Sequence, residues 1–557
     1  MRPSRTQLLL GLALLAGCAR EPAPDLILHG ATFHTLDAAR PTASAVAIRA
    51  GRLVAVGDAA ELLALAGPAT RRHDLGGAVV YPGFTDAHAH LEGIGRRELE
   101  FNLEGTASLA DLQARLAARV AAAPPGAWIV GRGWIETRWQ PADFPTRADL
   151  DRVAPDHPVY LTRADGHASV VNSSALAIAG IDRTTAAPAG GAILRDASPA
   201  RKGEPNGMLI DAAQMLVAER IPPQGADLAS ALRAGLAREV ALGWTGVHDA
   251  GVAGSTLEQL RALCASGALP LRWYGALDAP SDDAARLLAQ GPSASECDGR
   301  ITLRAFKFYM DGALGSRGAA LLAKYADADG DGLLRNEPAT LAGWYARALA
   351  AGVQVWTHAI GDRGNRLVLD LYAQALAGSP KGAARWRIEH AQVISPADLP
   401  RFAALGVIPS MQPSHAIGDL FFAPQRLGTE RLAGAYAWRA LIDSGAIVPA
   451  GSDAPVEQGD PRIEFYAAVA RRSLDGQQLA GWHPELAMTR AEALRALTRW
   501  PAYAAFEEAE RGSIEVGKRA DLTVFDRDLL TVPEPEILQA QVVLTMVGGE
   551  VVHAEER

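Results

Sequence analysis

The chain has 557 residues, 49% of them hydrophobic and 21% charged, with a formal net charge of -9. That length and apolar content can bury a large core, on the scale at which barrel architectures exceed the average domain size. No basic tract or aromatic-interleaved patch points to nucleic acid, and the acidic balance argues against polyanionic partners; a solvated acidic surface is its plain reading.

Residues 1–18 read as a targeting segment and stand outside the fold. Arg2 and Arg5 form a basic start, residues 8–16 an apolar stretch, and Leu15-Ala16-Gly17-Cys18 resembles the lipobox of bacterial lipoproteins. Cys18 would then be the lipidated first residue of the mature chain, anchoring it in the bacterial cell envelope. Ala19 follows it rather than aspartate, which in such lipoproteins favours the outer membrane and here its periplasmic face. The apolar stretch is too short to span a bilayer, which takes ~20 residues. The alternative is an ordinary cleaved secretory signal in which Cys18 is incidental. Cys264 and Cys297 could pair in an oxidising compartment, but two cysteines are too few for a disulfide framework.

After a linker over residues 20–24, segments 25–30, 45–48 and 53–57 read as short strands between Gly-rich turns, and 512–525 and 541–552 repeat that texture. Residues 25–78 and 510–557 therefore fit a small β-sandwich built from both chain ends, with His29, His34 and His73 structural or exposed within it. Between them, over 79–505, apolar strands alternate with Ala/Leu/Arg-rich helical stretches, the pattern of an α/β fold of (β/α)8 TIM-like barrel type. Strands are expected near Val79, Thr245, Leu271, Arg304, Val353, Trp386, Val407 and Ile447, with helices over 257–266, 340–351, 365–377 and 396–404. The first gap is too long for one helix, so about 98–232 form an insertion after the first barrel strand.

The first barrel strand ends Phe84-Thr85-Asp86-Ala87-His88-Ala89-His90. Side chains repeat with period two along a strand, so Asp86, His88 and His90 share a face, and two imidazoles there can grip one divalent cation. A lone His-x-His can arise by chance; the later strand ends decide. Residues 304–312 set Lys307, Tyr309 and Asp311 on one face, and an inward lysine is costly unless used. His358 ends another apolar run, His390 ends Arg387-Ile388-Glu389-His390, and Asp453 follows Ile447-Val448-Pro449-Ala450-Gly451-Ser452. These nitrogen and oxygen donors suit zinc, manganese or a similar ion.

In type and order these residues resemble the amidohydrolase superfamily of metal-dependent hydrolases. The segments 307–315, 387–390, 410–413 and 451–455 are similar to the branch that includes N-substituted formamide deformylases. The resemblance runs from about Asp25 to the C-terminus. It implies that His88 and His90 bind one metal, that Lys307, carboxylated by carbon dioxide, bridges to a second, that His358 and His390 bind the second, and that Asp453 binds metal and shuttles protons. The cofactor expected is thus divalent metal, zinc first, as two ions or one.

The insertion is the expected source of substrate selection. It carries Trp128, Trp134 and Trp139, and Asp165, His167 and Asn172 could line the pocket; equally, Asp165-Gly166 could be a tight turn that the others brace. Gln412 and His415, after the seventh strand, are a second pair of candidate substrate contacts, and His248 and Asp249 could support the metal ligands or sit in the core. Asp327-Ala328-Asp329-Gly330-Asp331-Gly332 mimics the start of a calcium loop, but its twelfth position is Pro338 where a carboxylate is required, so a polar turn is expected.

The expected activity is hydrolysis of a carbon-nitrogen bond other than a peptide bond, in a small or N-substituted amide, by metal-activated water with Asp453 as the catalytic proton carrier. Lactone or ester hydrolysis is the alternative within enzymes, and a non-catalytic lipoprotein that binds a metal-chelating solute the alternative outside them. An exposed barrel face could pair with a copy of itself as a homodimer, although no motif requires it.

Overall fold

The computed structural model describes residues 22–222, 226–477 and 482–555, so Cys18 lies outside the described residues. Seven parallel strands succeed one another in chain order as β1 (Phe84–Ala89), β2 (Trp244–Val252), β3 (Arg272–Asp278), β4 (Ile301–Tyr309), β5 (Gln354–Ala359), β6 (Arg387–His390) and β7 (Ile408–Ser410). Nearly every residue in them is buried, as expected of a parallel sheet covered on both faces. An eighth segment closes the circle without forming a regular strand. Met411 N donates to Pro449 O at 3.1 Å and Gly451 N to Met411 O at 3.0 Å on the β7 side. On the β1 side Ala87 N donates to Ala450 O at 3.2 Å and Asp453 N to His88 O at 2.6 Å. The fold is therefore the expected α/β barrel.

The helices fall close to the expected ones, at Gly254–Ala265, Pro338–Ala350, Asp362–Ala375 and Leu399–Leu405. Leu228–Leu242 starts at Asp227, whose carboxylate accepts from Ser230 N, and stops at Gly243, which supplies a positive φ. It crosses Leu91–Leu99 so closely that a Cβ on Gly95 would lie 1.7 Å from Ala231 O, which is why glycine stands there. Cys264, in Gly254–Ala265, is disulfide-bonded to Cys297, with Cα atoms 6.3 Å apart. Asp327 lies in a polar loop, where it pairs with Arg317 and Arg426. No helix among the described residues is long and apolar enough to cross a membrane.

The expected first strand near Val79 is two strands. Val79–Pro82 pairs with the N-terminal strand and with Leu522–Phe525, whereas β1 begins at Phe84 and belongs to the barrel. Gly83 makes the break possible, because a Cβ there would lie 2.3 Å from Thr245 Oγ1. Eight strands drawn from both chain ends, including Leu26–His34, Leu522–Phe525 and Val542–Val547, share the sheet to which Val79–Pro82 belongs. Alternation sends Leu26 and Leu28 into one apolar cluster and Ile27 into another. His34 stacks on Tyr81 and pairs with Asp528, a structural role.

The insertion builds a six-stranded sheet with its own core. Trp134 and Trp139 are interior residues of that core, their indole N–H groups donating to Leu161 O and Thr106 O, and they are not pocket contacts. Packing claimed them because a ring of that size buries more area in a small sheet domain than any other side chain can.

Candidate metal centre and active-site cleft

The C-terminal ends of β1, β4, β5 and β6 and the eighth segment converge on one spot. His88, at the end of β1, is fully buried, with Nδ1 against the Glu389 carboxylate of β6. Glu389 is held in turn by Arg387, whose Nε donates to Oε1 at 2.7 Å and Nη2 to Oε2 at 3.0 Å. Arg387 also donates to Ala87 O, to Ser410 Oγ and to His248 Nδ1, and lies over the Trp356 ring at 3.9 Å. Burial alone would raise the Glu389 carboxyl, but Arg387 and His88 pull it below the usual carboxylate range. This anion fixes the His88 tautomer and leaves Nε2 facing Lys307 and Asp453. His90 is set the same way, Nδ1 donating to Ala250 O at 2.8 Å while Nε2 lies 3.1 Å from Asp453 Oδ1.

Asp453 follows the close approach of the eighth segment to β1. Asp86 ties the two together: its carboxylate accepts from Ser452 N at 2.9 Å and Ser452 Oγ at 2.5 Å, as well as from His88 N. Asp86 therefore braces the site from behind although it shares the face of His88. Burial would raise the Asp453 carboxyl, but the hydrogen bond from His90 and the nearness of His88 and His390 hold it well below the ordinary range. Lys307 is buried with Nζ 3.2 Å from His88 Nε2, and burial lowers its amine to about 8. Burial, with Lys307 nearby, pushes the His88 imidazole down to about 4.

Two donor groups share Asp453. His88, His90 and Asp453 offer ligand atoms within 4.8 Å of one another, and so do His390, His415 and Asp453. Imidazole nitrogens grouped around a carboxylate are the donors that borderline divalent ions take. His415 Nε2 is buried without a hydrogen-bond partner, 3.5 Å from Asp453 Oδ2, an orphaned nitrogen of the kind an ion would satisfy. The residues fit a divalent metal.

The second donor group differs in detail from expectation. His415, expected at the substrate, joins His390, whereas His358 turns Nε2 toward Gly312 O at 3.4 Å, with its ring 4.5 Å from that of His390. Gln412 does not line the cleft; its Oε1 accepts from His390 Nδ1 at 2.8 Å, so it orients the His390 ring. Asp311 accepts three backbone N–H bonds, from Ala320, Ile360 and Gly361, and braces the loop after β4.

A cleft open to solvent is lined by His390, His415 and Asp453. Asp165 and His167 line it from the insertion, as expected, with His167 Nδ1 2.6 Å from Asp211 Oδ1. Asn172 does not reach it. Its side chain accepts from Ala175 N, starting the helix Ser173–Ala179, and from Val159 N, and donates to Ala154 O and His157 O, so every polar atom is committed within the insertion. Gln392, Asp419 and Phe422 line the cleft without any local signal in the sequence, because they sit on loops and helices beyond the strand ends. Arg387 and Glu389 did carry one, opposite charges at period two in a buried strand.

Residues 72–553 match the amidohydrolase family. The chain belongs to that family. It is 32% identical over 537 residues to YtcJ of Bacillus subtilis (strain 168), covering 95% of this chain and 99% of that one. It is 30% identical over 554 residues to the N-substituted formamide deformylase of Arthrobacter pascens, covering 94% and 97%. Among solved structures, an uncharacterized metal-dependent hydrolase from Pyrococcus horikoshii OT3 superposes with a TM-score of 0.72 at 25% identity, covering 91% of this amidohydrolase and 99% of that chain.

Proposed function

We propose that this amidohydrolase cleaves the carbon-nitrogen bond of a small, N-substituted amide by attack of water at a divalent metal centre. The convergence of His88, His90, Lys307, His390 and His415 on Asp453 at the mouth of the barrel carries this reading, and the likeness to a formamide deformylase supports the bond type. A divalent ion in this donor set, zinc first among the candidates, supplies Lewis acidity, lowering the pKa of water and polarising a carbonyl oxygen. Asp453, kept anionic by its imidazole neighbours, takes the proton from the attacking water and returns it to the departing nitrogen. Glu389 and Gln412 orient the rings of His88 and His390, which would hold the ion. Lys307, whose amine burial weakens as a base, is the residue for carboxylation by carbon dioxide, which would turn it from a cation into an anionic donor. Through Cys18 the enzyme would sit lipid-anchored at the periplasmic face of the outer membrane.

The test is a panel of N-substituted amides with matched esters, run on the metal-replete enzyme and on Asp453→Asn. Amide turnover that a chelator abolishes, zinc restores and Asp453→Asn lowers by about 10²-fold or more in kcat is expected. Turnover of esters alone, or unchanged kcat in the variant, refutes the proposal.

A further inference from the structure

One residue of the insertion sits in a backbone conformation that its side chain resists. Asp211 ends the strand Pro205–Asp211 with φ 46° and ψ -122°. Glycine enters that region freely, whereas a residue with a Cβ occupies it only under strain. The Asp211 side chain is buried, and its Oδ2 has no hydrogen-bond partner among the described residues. Strain and an unpaired buried oxygen both cost stability, and neither is needed to end a strand. The reason for this residue therefore lies outside the packing of the insertion.

The other carboxylate oxygen supplies it. Asp211 Oδ1 accepts from His167 Nδ1 at 2.6 Å, and Asp211 N donates to His167 O at 2.9 Å, so side chain and backbone hold the same residue. A carboxylate at that distance keeps the proton of the neutral ring on Nδ1 and leaves Nε2 as its acceptor. His167 lines the cleft, its ring centre 5.1 Å from that of His358 on the barrel side. The barrel leaves room for the carboxylate: a Cβ on Gly312 or Gly318, in the loop after β4, would lie 2.5 or 2.8 Å from Oδ2. Arg335 Nε stands 3.9 Å from Oδ1, near enough to add positive charge but too far to hydrogen-bond.

We infer that Asp211 is a positioning residue of the active site. Acting through His167, it fixes the tautomer and the ring angle and presents Nε2 to the cleft as a hydrogen-bond acceptor carried by the insertion rather than by the barrel. The strain at Asp211 is what aiming the carboxylate at Nδ1 from the end of its strand requires. The inference rests on the hydrolase reading above for its kinetic readout alone.

The test has a spectroscopic and a kinetic half, both on the zinc-loaded enzyme. Nitrogen-15 spectra of histidine-labelled protein at alkaline pH, with His167 assigned by its loss in His167→Gln, should show Nδ1 protonated and Nε2 bare. Asp211→Gly should mix the two tautomers. A native ring protonated on Nε2 alone, or an unchanged tautomer in Asp211→Gly, overturns the inference whether or not amides are cleaved. The expected tautomers with no amide turnover sustain the positioning and sink the activity. In the kinetic half, Asp211→Asn and Asp211→Gly should lower kcat/KM by about tenfold or more on the best substrate of the amide and ester panel. Added to His167→Ala, Asp211→Asn should change kcat/KM by less than about twofold, because the carboxylate has nothing left to position. Glycine also relieves the strain, so the denaturation midpoint of Asp211→Gly should equal or exceed the native one. Losses that multiply in the double variant, or a lower midpoint with kcat/KM unchanged, mark a merely structural residue and overturn the inference.

Discussion

Replacing Glu389 by glutamine removes a charge from a wholly buried position and changes only one atom in size. The native carboxylate accepts two bonds from Arg387, at 2.7 and 3.0 Å, and one from His88 Nδ1. A glutamine oxygen can serve one of these sites, but its amide nitrogen must then face an N–H of the arginine or of the imidazole. Breaking a buried ion pair costs about 3–5 kcal/mol. The lower end applies here, about 3 kcal/mol, because Ala87 O and Ser410 Oγ continue to accept from the arginine. The second effect is on His88, which loses the anion that fixes its tautomer; removing such a partner typically weakens metal affinity by about 10- to 100-fold. Denaturant midpoints of the metal-free protein read the first effect, and zinc competition against a calibrated chelator reads the second. Zinc affinity within about threefold of native, together with an unchanged midpoint, would falsify the role given to this pair.

Gly451→Ala puts a Cβ 2.2 Å from the backbone nitrogen of His88, an atom that cannot swing aside. A loss of about 2–3 kcal/mol on chemical denaturation is expected, with weaker zinc binding because Asp453 moves with the segment; native stability would mean the two segments do not approach as described. Glu239 is buried, with neither carboxylate oxygen hydrogen-bonded, and burial raises its pKa well above normal. The folded state therefore holds this proton more tightly than the unfolded one, and native stability declines as pH rises above the unfolded value of about 4.3. Glutamine removes that penalty, so the stability advantage of Glu239→Gln over the native protein should grow from pH 5 to pH 8; an advantage independent of pH would count against it.

Where a strand end carries its own chemistry, the sequence was enough. His88, His90, His390 and Asp453 stand out because each lies at the end of a strand-like segment, and the barrel orders those segments around one mouth. The assignment of His415 was not legible, since it depends on where the helix Pro413–Asp419 turns its side chains after β7. Asn172 misled because one residue type both starts helices and binds ligands, and only its four partners tell which. The break at Gly83 hid inside a run whose apolar pattern is continuous across two sheets.

That break has a consequence for the order of events in folding. The first residue of β1 is fastened through Phe84 N to Thr523 Oγ1 at 3.0 Å, across 439 positions of sequence, and the same hydroxyl donates to Gly243 O at the foot of β2. The histidine-bearing strand thus emerges from the ribosome early and waits for an anchor that emerges hundreds of residues later. A nascent chain shorter than this span can pair β1 with its neighbours but cannot seat it. The strand that carries His88 and His90 is thus seated at its foot by the opposite end of the chain.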